Sequence, residues 1–144
     1  MRDVDTTITV DGVAYQAHLA KITSTGLGDV ADRGIFTASI TCEWQGGGIS
    51  PTGGYCLDTP VKDEDGKFLR RAGTGAGMDY ISRILAVAGV DRWEKLVGCR
   101  VWVLFPDDGT GSWGRESVGI ASVDSDESLV FKAFWAATKE SSDV

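Results

Sequence analysis

The sharpest pattern of hydrophobic and polar positions in the chain lies between Ile35 and Trp44, where the two kinds of residue alternate. Successive side chains of a β-strand point to opposite faces, so this alternation predicts a strand with one buried face. The residues predicted to share the buried face are Phe36, Ala38, Ile40, Cys42 and Trp44.

A tight hairpin is predicted near the beginning of the chain. The segments Thr6–Val10 and Val13–Ile22 are separated only by Asp11-Gly12, and this dipeptide suits the left-handed geometry of a two-residue turn. Four further segments have the composition of strands, namely Gly53–Leu57, Arg100–Phe105, Ser117–Val123 and Leu129–Ala137. The charged stretch Val61–Lys67 and the glycine-containing stretch Pro106–Gly114 are predicted to be loops.

Two helices are predicted in the middle of the chain. From Met78 onward, apolar residues recur at the spacing of one helix face, and Gly89 supplies a left-handed stop. These apolar residues are Ile81, Ile84, Leu85 and Ala88. Asp91 followed by Glu94 is a capping-box pattern, which predicts a second, shorter helix that ends at Gly98.

The order of strands, helices and strands predicts an α+β fold in which an antiparallel β-sheet packs against two short α-helices. A chain of 144 residues with 42% hydrophobic residues has enough apolar surface for one core, and no shift in composition divides it. We therefore expect a single domain over residues 1–138, followed by a polar tail over residues 139–144.

Charge and cysteine content narrow the function classes. The net charge of −7 argues against a DNA-binding protein, because phosphate backbones are held by an excess of Lys and Arg. The three cysteines are not spaced as metal ligands, so we expect reduced thiols, no metal and no cofactor. No apolar run approaches the length of a membrane span, and Met1–Asp3 does not begin a signal peptide; these features predict a cytoplasmic protein without membrane contact.

A candidate anion site lies where glycines precede the first predicted helix. Gly73, Gly75 and Gly77 follow the pair Arg70-Arg71, so unpaired backbone N–H groups and two guanidinium groups could converge on one small anion. The alternative is that the arginines are solvated charges at a loop edge and that the glycines serve the backbone alone.

Aromatic residues offer a stacking surface for such a ligand. Tryptophans are most often core residues, but Trp113 lies in a predicted loop beside Arg115, where an indole can stack on a purine. Tyr80, in the first turns of the predicted helix, is the second candidate.

Five segments of the chain form a recognisable pattern, and they are LGDVADRGIFTASITCEW (Leu27–Trp44), GGYCLD (Gly53–Asp58), RRAGTGAGMDYISRIL (Arg70–Leu85), GVDRWEKLVGCRVWV (Gly89–Val103) and VGIA (Val118–Ala121). In these segments the chain resembles a family of small phage anti-defence proteins that act against the bacterial Thoeris system. The resemblance covers roughly residues 17 to 122. It implies a sponge that binds a cyclic ADP-ribose signal, and in some members cyclic oligonucleotides, without cleaving it. It also implies a homo-oligomer, dimeric or hexameric, with ligand pockets between subunits.

The resemblance adds site residues to those found from the pattern. Arg33 lies in the leucine-glycine turn where the family places an arginine, Arg115 lies before the late strand, and Trp93 is the nearest equivalent of an aromatic residue close to the second helix. The predicted ligand-binding residues are Arg33, Arg70, Arg71, Gly75, Gly77, Tyr80, Trp93, Trp113, Arg115 and Ser117.

Three function classes remain open at this point. The favoured one is a non-catalytic protein that sequesters a small nucleotide second messenger, because the chain has one histidine and no recognisable nucleophile turn, metal cluster or lysine-containing phosphate loop. The second is a small nucleotide hydrolase that uses a carboxylate such as Asp79 or Glu116. The third is an oligomeric phage accessory protein without a small ligand, whose exposed aromatic residues form subunit contacts.

Overall fold

A computed structural model of the chain describes residues 6–29, 34–52, 55–107 and 116–142. The strands in these ranges are β1 (Thr6–Val10), β2 (Val13–Gly28), β3 (Thr37–Trp44), β4 (Gly47–Ile49), β5 (Asp58–Lys62), β6 (Phe68–Gly73), β7 (Arg100–Pro106), β8 (Gly119–Ser122) and β9 (Ser128–Val130). The helices are α1 (Gly75–Ala88), a 3₁₀ turn (Trp93–Lys95) and α2 (Phe131–Ser142). An antiparallel sheet with two α-helices confirms the predicted α+β class.

Strand β2 is the centre of the main sheet. Its first half pairs with β1, its second half pairs with β3, and β7 pairs with residues Tyr15–Lys21 of β2. Strands β8 and β9 extend the sheet beyond β7, and β4 extends it beyond β3. The whole path β4-β3-β2-β7-β8-β9 is antiparallel, whereas β5 and β6 pair only with each other in a separate two-stranded sheet.

The core lies between the main sheet and α1, and α2 closes one end of it. Helix α1 contributes Tyr80, Ile84 and Val87, all of them buried. The sheet contributes buried residues from β2, β3, β7 and β8, which are Ala20, Ile22, Ala38, Ile40, Cys42, Val101, Val103, Phe105 and Ile120. Ala38, Ile40 and Cys42 face this core and Trp44 packs against it, as predicted for the buried face of β3. The prediction is wrong for Phe36, which precedes β3 and is 37% exposed.

Two local predictions are confirmed by backbone geometry. Asp11 and Gly12 have φ angles of 50° and 82°, the left-handed pair that a two-residue hairpin turn requires. Gly89 has a φ of 76° and its N–H donates to the carbonyls of Leu85 and Ala86, which ends α1 at the predicted stop.

The strand predicted over Leu129–Ala137 is wrong. Strand β9 ends at Val130 and helix α2 begins at Phe131. Phe131, Phe134 and Trp135 have helical spacing and pack around Tyr80, so tertiary burial of one helix face overrides the β propensity of aromatic residues. Helix α2 continues through Ser142 and so includes most of the segment assigned to a polar tail.

The second predicted helix is only a single 3₁₀ turn over Trp93–Lys95. Arg92 occupies the N-cap position with no side-chain cap, and Asp91 pairs instead with Lys95 at 3.2 Å. The Asp91 carboxylate, which the capping-box pattern predicted as the N-cap, therefore forms an ion pair with Lys95 and does not cap the helix.

Two predictions around the β5–β6 hairpin are also corrected. Residues 55–57 are not in a strand, and Gly53 and Gly54 lie outside the described residues. The charged stretch predicted as a loop contains the end of β5 and the turn Asp63–Lys67, where the Asp63 carboxylate accepts hydrogen bonds from the Asp65 and Lys67 amides.

Within the described ranges, no helix has both the length and the apolar character needed to cross a bilayer.

Candidate functional site

An open cleft of about 1190 Å³ lies between the start of α1, helix α2 and the base of the β5–β6 hairpin. We call it the α1–α2 cleft. Its lining residues are Val10, Asp11, Cys56, Asp58, Thr59, Thr74, Gly75, Ala76, Asp79, Arg83, Ser128, Leu129, Val130, Ala133, Phe134, Trp135, Ala137 and Thr138. A space of this size is somewhat larger than typical small-molecule sites.

The first turn of α1 presents backbone donors to this cleft. Thr74 is the N-cap: its Oγ1 accepts the N–H of Gly77 at 2.9 Å and donates to the Leu57 carbonyl at 3.0 Å. The N–H groups of Gly75 and Ala76 have no acceptor within the described residues. Unpaired first-turn amides and the positive end of the helix dipole favour an anionic group at this position.

An ion pair fixes the base of the β5–β6 hairpin beside the cleft. Arg71 donates to both oxygens of Asp58, from Nε at 3.0 Å and from Nη2 at 2.7 Å. The Asp58 carboxylate also accepts the Phe36 N–H at 3.0 Å. The hydrogen bonds from Arg71, above all, hold the pKa of Asp58 well below its usual range, although desolvation opposes them. The same pairing raises the pKa of Arg71.

Cys56 is the exposed cysteine of the site. Its thiol donates to the Asp58 carbonyl and carboxylate at 3.2 Å, and its Sγ lies 3.4 Å from Nη2 of Arg71. Cys42, by contrast, is buried in the sheet, and this burial raises its pKa to about 12. Cys56 is thus the more accessible of these two thiols.

Aromatic side chains form one wall of the cleft. Phe134 and Trp135 line it from α2 and are half-buried. Trp135 stacks on Tyr55 with ring centroids 5.8 Å apart and an interplanar angle of 17°, and Phe134 meets Trp135 edge to face at 4.9 Å. These contacts hold both rings in place, which leaves a rigid apolar surface for a planar ligand.

Charged groups of both signs border the cleft. Asp79 and Arg83 are exposed and lie one turn apart on α1, and Asp11 approaches from the β1–β2 turn. Arg83 donates through Nη2 to the carbonyl of Ser128, which fixes its guanidinium at the cleft edge. Asp11 and Asp79 have no ion pair to a described residue.

The structure brings only part of the predicted site together. Gly75 lines the cleft as predicted. Arg71 lies at its border, but both Asp58 oxygens occupy its guanidinium. Arg70 lies on the next position of β6, is exposed, and does not line the cleft.

Four other predicted ligand residues have structural contacts instead. Gly77 packs so closely on Leu57 that an added Cβ would lie 2.3 Å from the Leu57 carbonyl oxygen. Tyr80 is fully buried, and its hydroxyl donates to the Thr52 carbonyl at 3.4 Å. Ser117 Oγ donates to the carbonyls of Leu104 and Gly119. Trp93 is half-buried against the core, away from the cleft lining.

Three predicted residues, Arg33, Trp113 and Arg115, lie outside the described residues. Glu116, which follows them, is exposed. Its charge raises the pKa of Tyr55, after the larger effect of burial.

The residues that sequence reasoning missed are those of α2. Phe134 and Trp135 were assigned to a strand, although Phe131, Phe134 and Trp135 already had the three- and four-residue spacing of a helix face. The pairing of Asp58 with Arg71 had no local signal, because the two residues meet only across the β5–β6 hairpin.

Among the described residues, no three His, Cys, Asp or Glu side chains are grouped as metal ligands. No protein family, curated protein or solved structure matches the chain.

Proposed function

We propose that the chain binds a small nucleotide second messenger in the α1–α2 cleft and holds it without cleaving it. The observation that carries the proposal is the pairing of two surfaces across one cleft. The unpaired amides of Gly75 and Ala76 offer donors to a phosphate, and the fixed rings of Phe134 and Trp135 offer a stacking surface to a base.

The charges of the cleft limit how many phosphates the ligand carries. Arg71 neutralises Asp58, and Arg83 adds one positive charge, but Asp11 and Asp79 contribute two carboxylates. A ligand with one or two phosphates and several hydroxyl or amino donors fits this balance better than a triphosphate, because carboxylates accept from such donors and repel phosphate oxygens.

The resemblance of five segments to the anti-Thoeris sponge family supports a more specific role. In this proposal the ligand is a cyclic ADP-ribose isomer or a cyclic oligonucleotide, the protein is a phage anti-defence factor, and it acts in the cytoplasm of an infected bacterial cell. A cleft of about 1190 Å³ is large enough to hold a ligand of this class.

One observation favours nucleotide hydrolysis as the second candidate. Asp79 is an exposed carboxylate inside the cleft, one helical turn from Arg83, and a carboxylate beside a guanidinium can act as a general base. Ligand turnover separates this candidate from sequestration.

The test is retention and recovery of the ligand. Cyclic ADP-ribose, its isomers and a cyclic dinucleotide are each incubated overnight with equimolar protein, the free pool is separated by ultrafiltration, and the bound fraction is released by heat and analysed by chromatography. We expect one ligand to leave the free pool and to return unaltered. A linear or shortened product would establish hydrolysis, and a free pool that never falls for any of them would refute the proposal.

A matched pair of glycine variants locates the site. Gly75→Glu places a carboxylate at the cleft end of α1, where it repels a phosphate but interacts favourably with the helix dipole, so the helix itself is not destabilised. An added Cβ at Gly75 meets no atom within 4 Å. Gly73→Glu adds the same charge two residues earlier, also into open space but outside the cleft lining. Calorimetry should show affinity for the retained ligand at least about tenfold weaker in Gly75→Glu and changed less than about twofold in Gly73→Glu.

A further inference from the structure

Asp79 occupies the middle of the α1 side of the α1–α2 cleft. The cleft residues of α1 are Gly75, Ala76, Asp79 and Arg83, and they follow one face of the helix because residues three and four apart are neighbours there. With the usual rise per residue of an α-helix, Asp79 lies about 6 Å along the axis from the amide of Gly75. A carboxylate therefore lies one helical turn from the donors proposed for a phosphate.

The Asp79 carboxylate has no ion pair, although a cation follows it at the spacing at which helical ion pairs form. Arg83 is four residues further along α1, where it could reach Asp79. Its guanidinium donates instead to the Ser128 carbonyl at the start of β9, and no ion pair joins Asp79 to a described residue. Asp79 is exposed, so its carboxylate oxygens are available to a ligand in the cleft.

The cleft arranges its contacts in the order in which a nucleotide arranges its parts. The amides of Gly75 and Ala76 suit a phosphate, and the rings of Phe134 and Trp135 on α2 suit a base. The ribose joins phosphate and base covalently, so it has to lie between the start of α1 and the aromatic wall, beside Asp79. Its neighbouring 2′- and 3′-hydroxyls are donors, whereas an ionised carboxylate offers two acceptor oxygens and no donor.

We propose that Asp79 accepts hydrogen bonds from the vicinal 2′- and 3′-hydroxyls of a ribose, which makes the cleft selective for ribonucleotides that keep this diol free. The inference rests on the proposed function and narrows the class of ligand. Cyclic ADP-ribose isomers keep at least one free vicinal diol. In a cyclic dinucleotide, one of the two hydroxyls of each ribose is esterified to a phosphate. Asp79 therefore favours the first of these two ligand classes.

The charge of Asp79 sharpens the selectivity in two ways. A hydrogen bond from a hydroxyl to an ionised carboxylate is stronger than one to a neutral acceptor. A ligand that lacks the diol still brings its phosphate to within about one helical turn of the carboxylate, and like charges repel at that distance. Asp79 thus attracts the ligand with the diol and disfavours the ligand without it.

Calorimetry with adenosine 5′-monophosphate and its 2′-deoxy and 3′-deoxy analogues tests the proposal. The three probes carry the same phosphate and the same base, so the ratio of their dissociation constants isolates the contribution of each hydroxyl. We expect each deoxy analogue to bind the unaltered chain about five- to tenfold more weakly, because it lacks one hydrogen bond to a charged acceptor. In Asp79→Ala both ratios should fall below about twofold, since the acceptor is gone.

Asp126→Ala is the matched control, because it removes one exposed carboxylate outside the cleft lining. Its ratios should equal those of the unaltered chain, which separates the effect of Asp79 from that of net charge. Asp79 is exposed on a helix and alanine is a good helix former, so circular dichroism should show an intact fold in Asp79→Ala.

Three results would overturn the proposal: equal affinity of the unaltered chain for the three probes, ratios that persist in Asp79→Ala, and no binding of adenosine 5′-monophosphate. None of them refutes the proposed function, which is judged by the retention of the cyclic ligands. Conversely, selective binding of adenosine 5′-monophosphate by a chain that retains no cyclic ligand would refute the proposed function and leave the diol site established.

Discussion

Two hairpins of this protein differ in what supports them. The β1–β2 hairpin turns at Asp11 and Gly12 and belongs to the main sheet, where β2 also pairs with β3 and β7. The β5–β6 hairpin, Asp58–Gly73, which we call the arm, turns through Asp63–Lys67, and its strands pair only with each other. At its base, Asp58 accepts the Phe36 N–H. The comparison teaches that a hairpin gains cooperative stability from the sheet around it and not from its turn.

A substitution at the junction between the arm and the core should lower the free energy of unfolding more than any other change considered. Gly77→Ala would place a Cβ 2.3 Å from the Leu57 carbonyl oxygen and 2.9 Å from its Cβ, so helix α1 must move away from the base of the arm. We expect a loss of about 3 kcal/mol in the free energy of unfolding, measured by urea titration.

Gly75→Ala is the control for this loss, since an added Cβ at Gly75 meets no atom within 4 Å. Alanine is the better helix former, so this variant should be unchanged or more stable by up to about 1 kcal/mol. Equal stability of the two variants would contradict the close packing of Gly77 on Leu57.

The base of the arm should also be sensitive to pH. The pKa of Asp58 is lowered in the folded protein by the hydrogen bonds from Arg71, so folding favours the carboxylate. Its stabilisation is complete above the unfolded-state pKa of about 4 and is lost as the pH falls from there toward the lower folded-state value. Asp58→Asn should therefore be less stable than the unaltered chain at pH 7, and the difference should shrink below pH 4.

Urea titrations from pH 7 to pH 2 measure the difference in the free energy of unfolding between Asp58→Asn and the unaltered chain. Asp126→Asn serves as the control, because Asp126 is exposed and has no hydrogen bond or ion pair in the described residues. A gap between Asp58→Asn and the unaltered chain that stays constant with pH would mean that the carboxylate's charge is not what stabilises the arm's base.

The smallest expected effect compares the two turns directly. Gly12 and Gly66 have φ angles of 82° and 83°, and an added Cβ meets nothing at either position. Alanine in this left-handed region is strained by about 1 kcal/mol. Gly12→Ala should lose about that much global stability, whereas Gly66→Ala should lose less than about 0.5 kcal/mol, because the arm opens locally before the core unfolds.

Hydrogen exchange checks the reason for that difference. Amides of β5 and β6 should exchange faster in Gly66→Ala, while those of β1 and β2 stay as in the unaltered chain. Equal losses of global stability from the two turn variants would show that the arm unfolds together with the sheet.

The elements predicted correctly are those whose signal is local. The Asp11-Gly12 turn, the alternation centred on Ala38, Ile40 and Cys42, and the stop at Gly89 each depend on a few neighbouring residues. The predictions that failed depended on distant contacts. Helix α2 is stabilised by aromatic packing on Tyr80, some 50 residues away in sequence, and propensity alone assigned it to a strand.

The candidate site follows the same division. Gly75 was predicted from the glycine-rich helix start and lines the cleft. The arginine pair was predicted as two equal ligands, yet Arg71 is engaged with Asp58 and Arg70 is exposed on the arm. Because both arginines lie in β6, their side chains point to opposite faces of the strand. The charged sequence before them did not predict this strand, so their different positions could not be predicted either.

The position of β2 has a consequence for how the chain folds during synthesis. β2 can pair with β1 and β3 once Trp44 has left the ribosome, but its other edge pairs with β7, where Tyr15 meets Pro106. That edge stays open while some 60 further residues are made, and long-range strand pairing is slow and prone to aggregation until it is complete. The nascent chain therefore carries one unpaired edge of its central strand until β7 emerges, and only then can β7, β8 and β9 complete the main sheet.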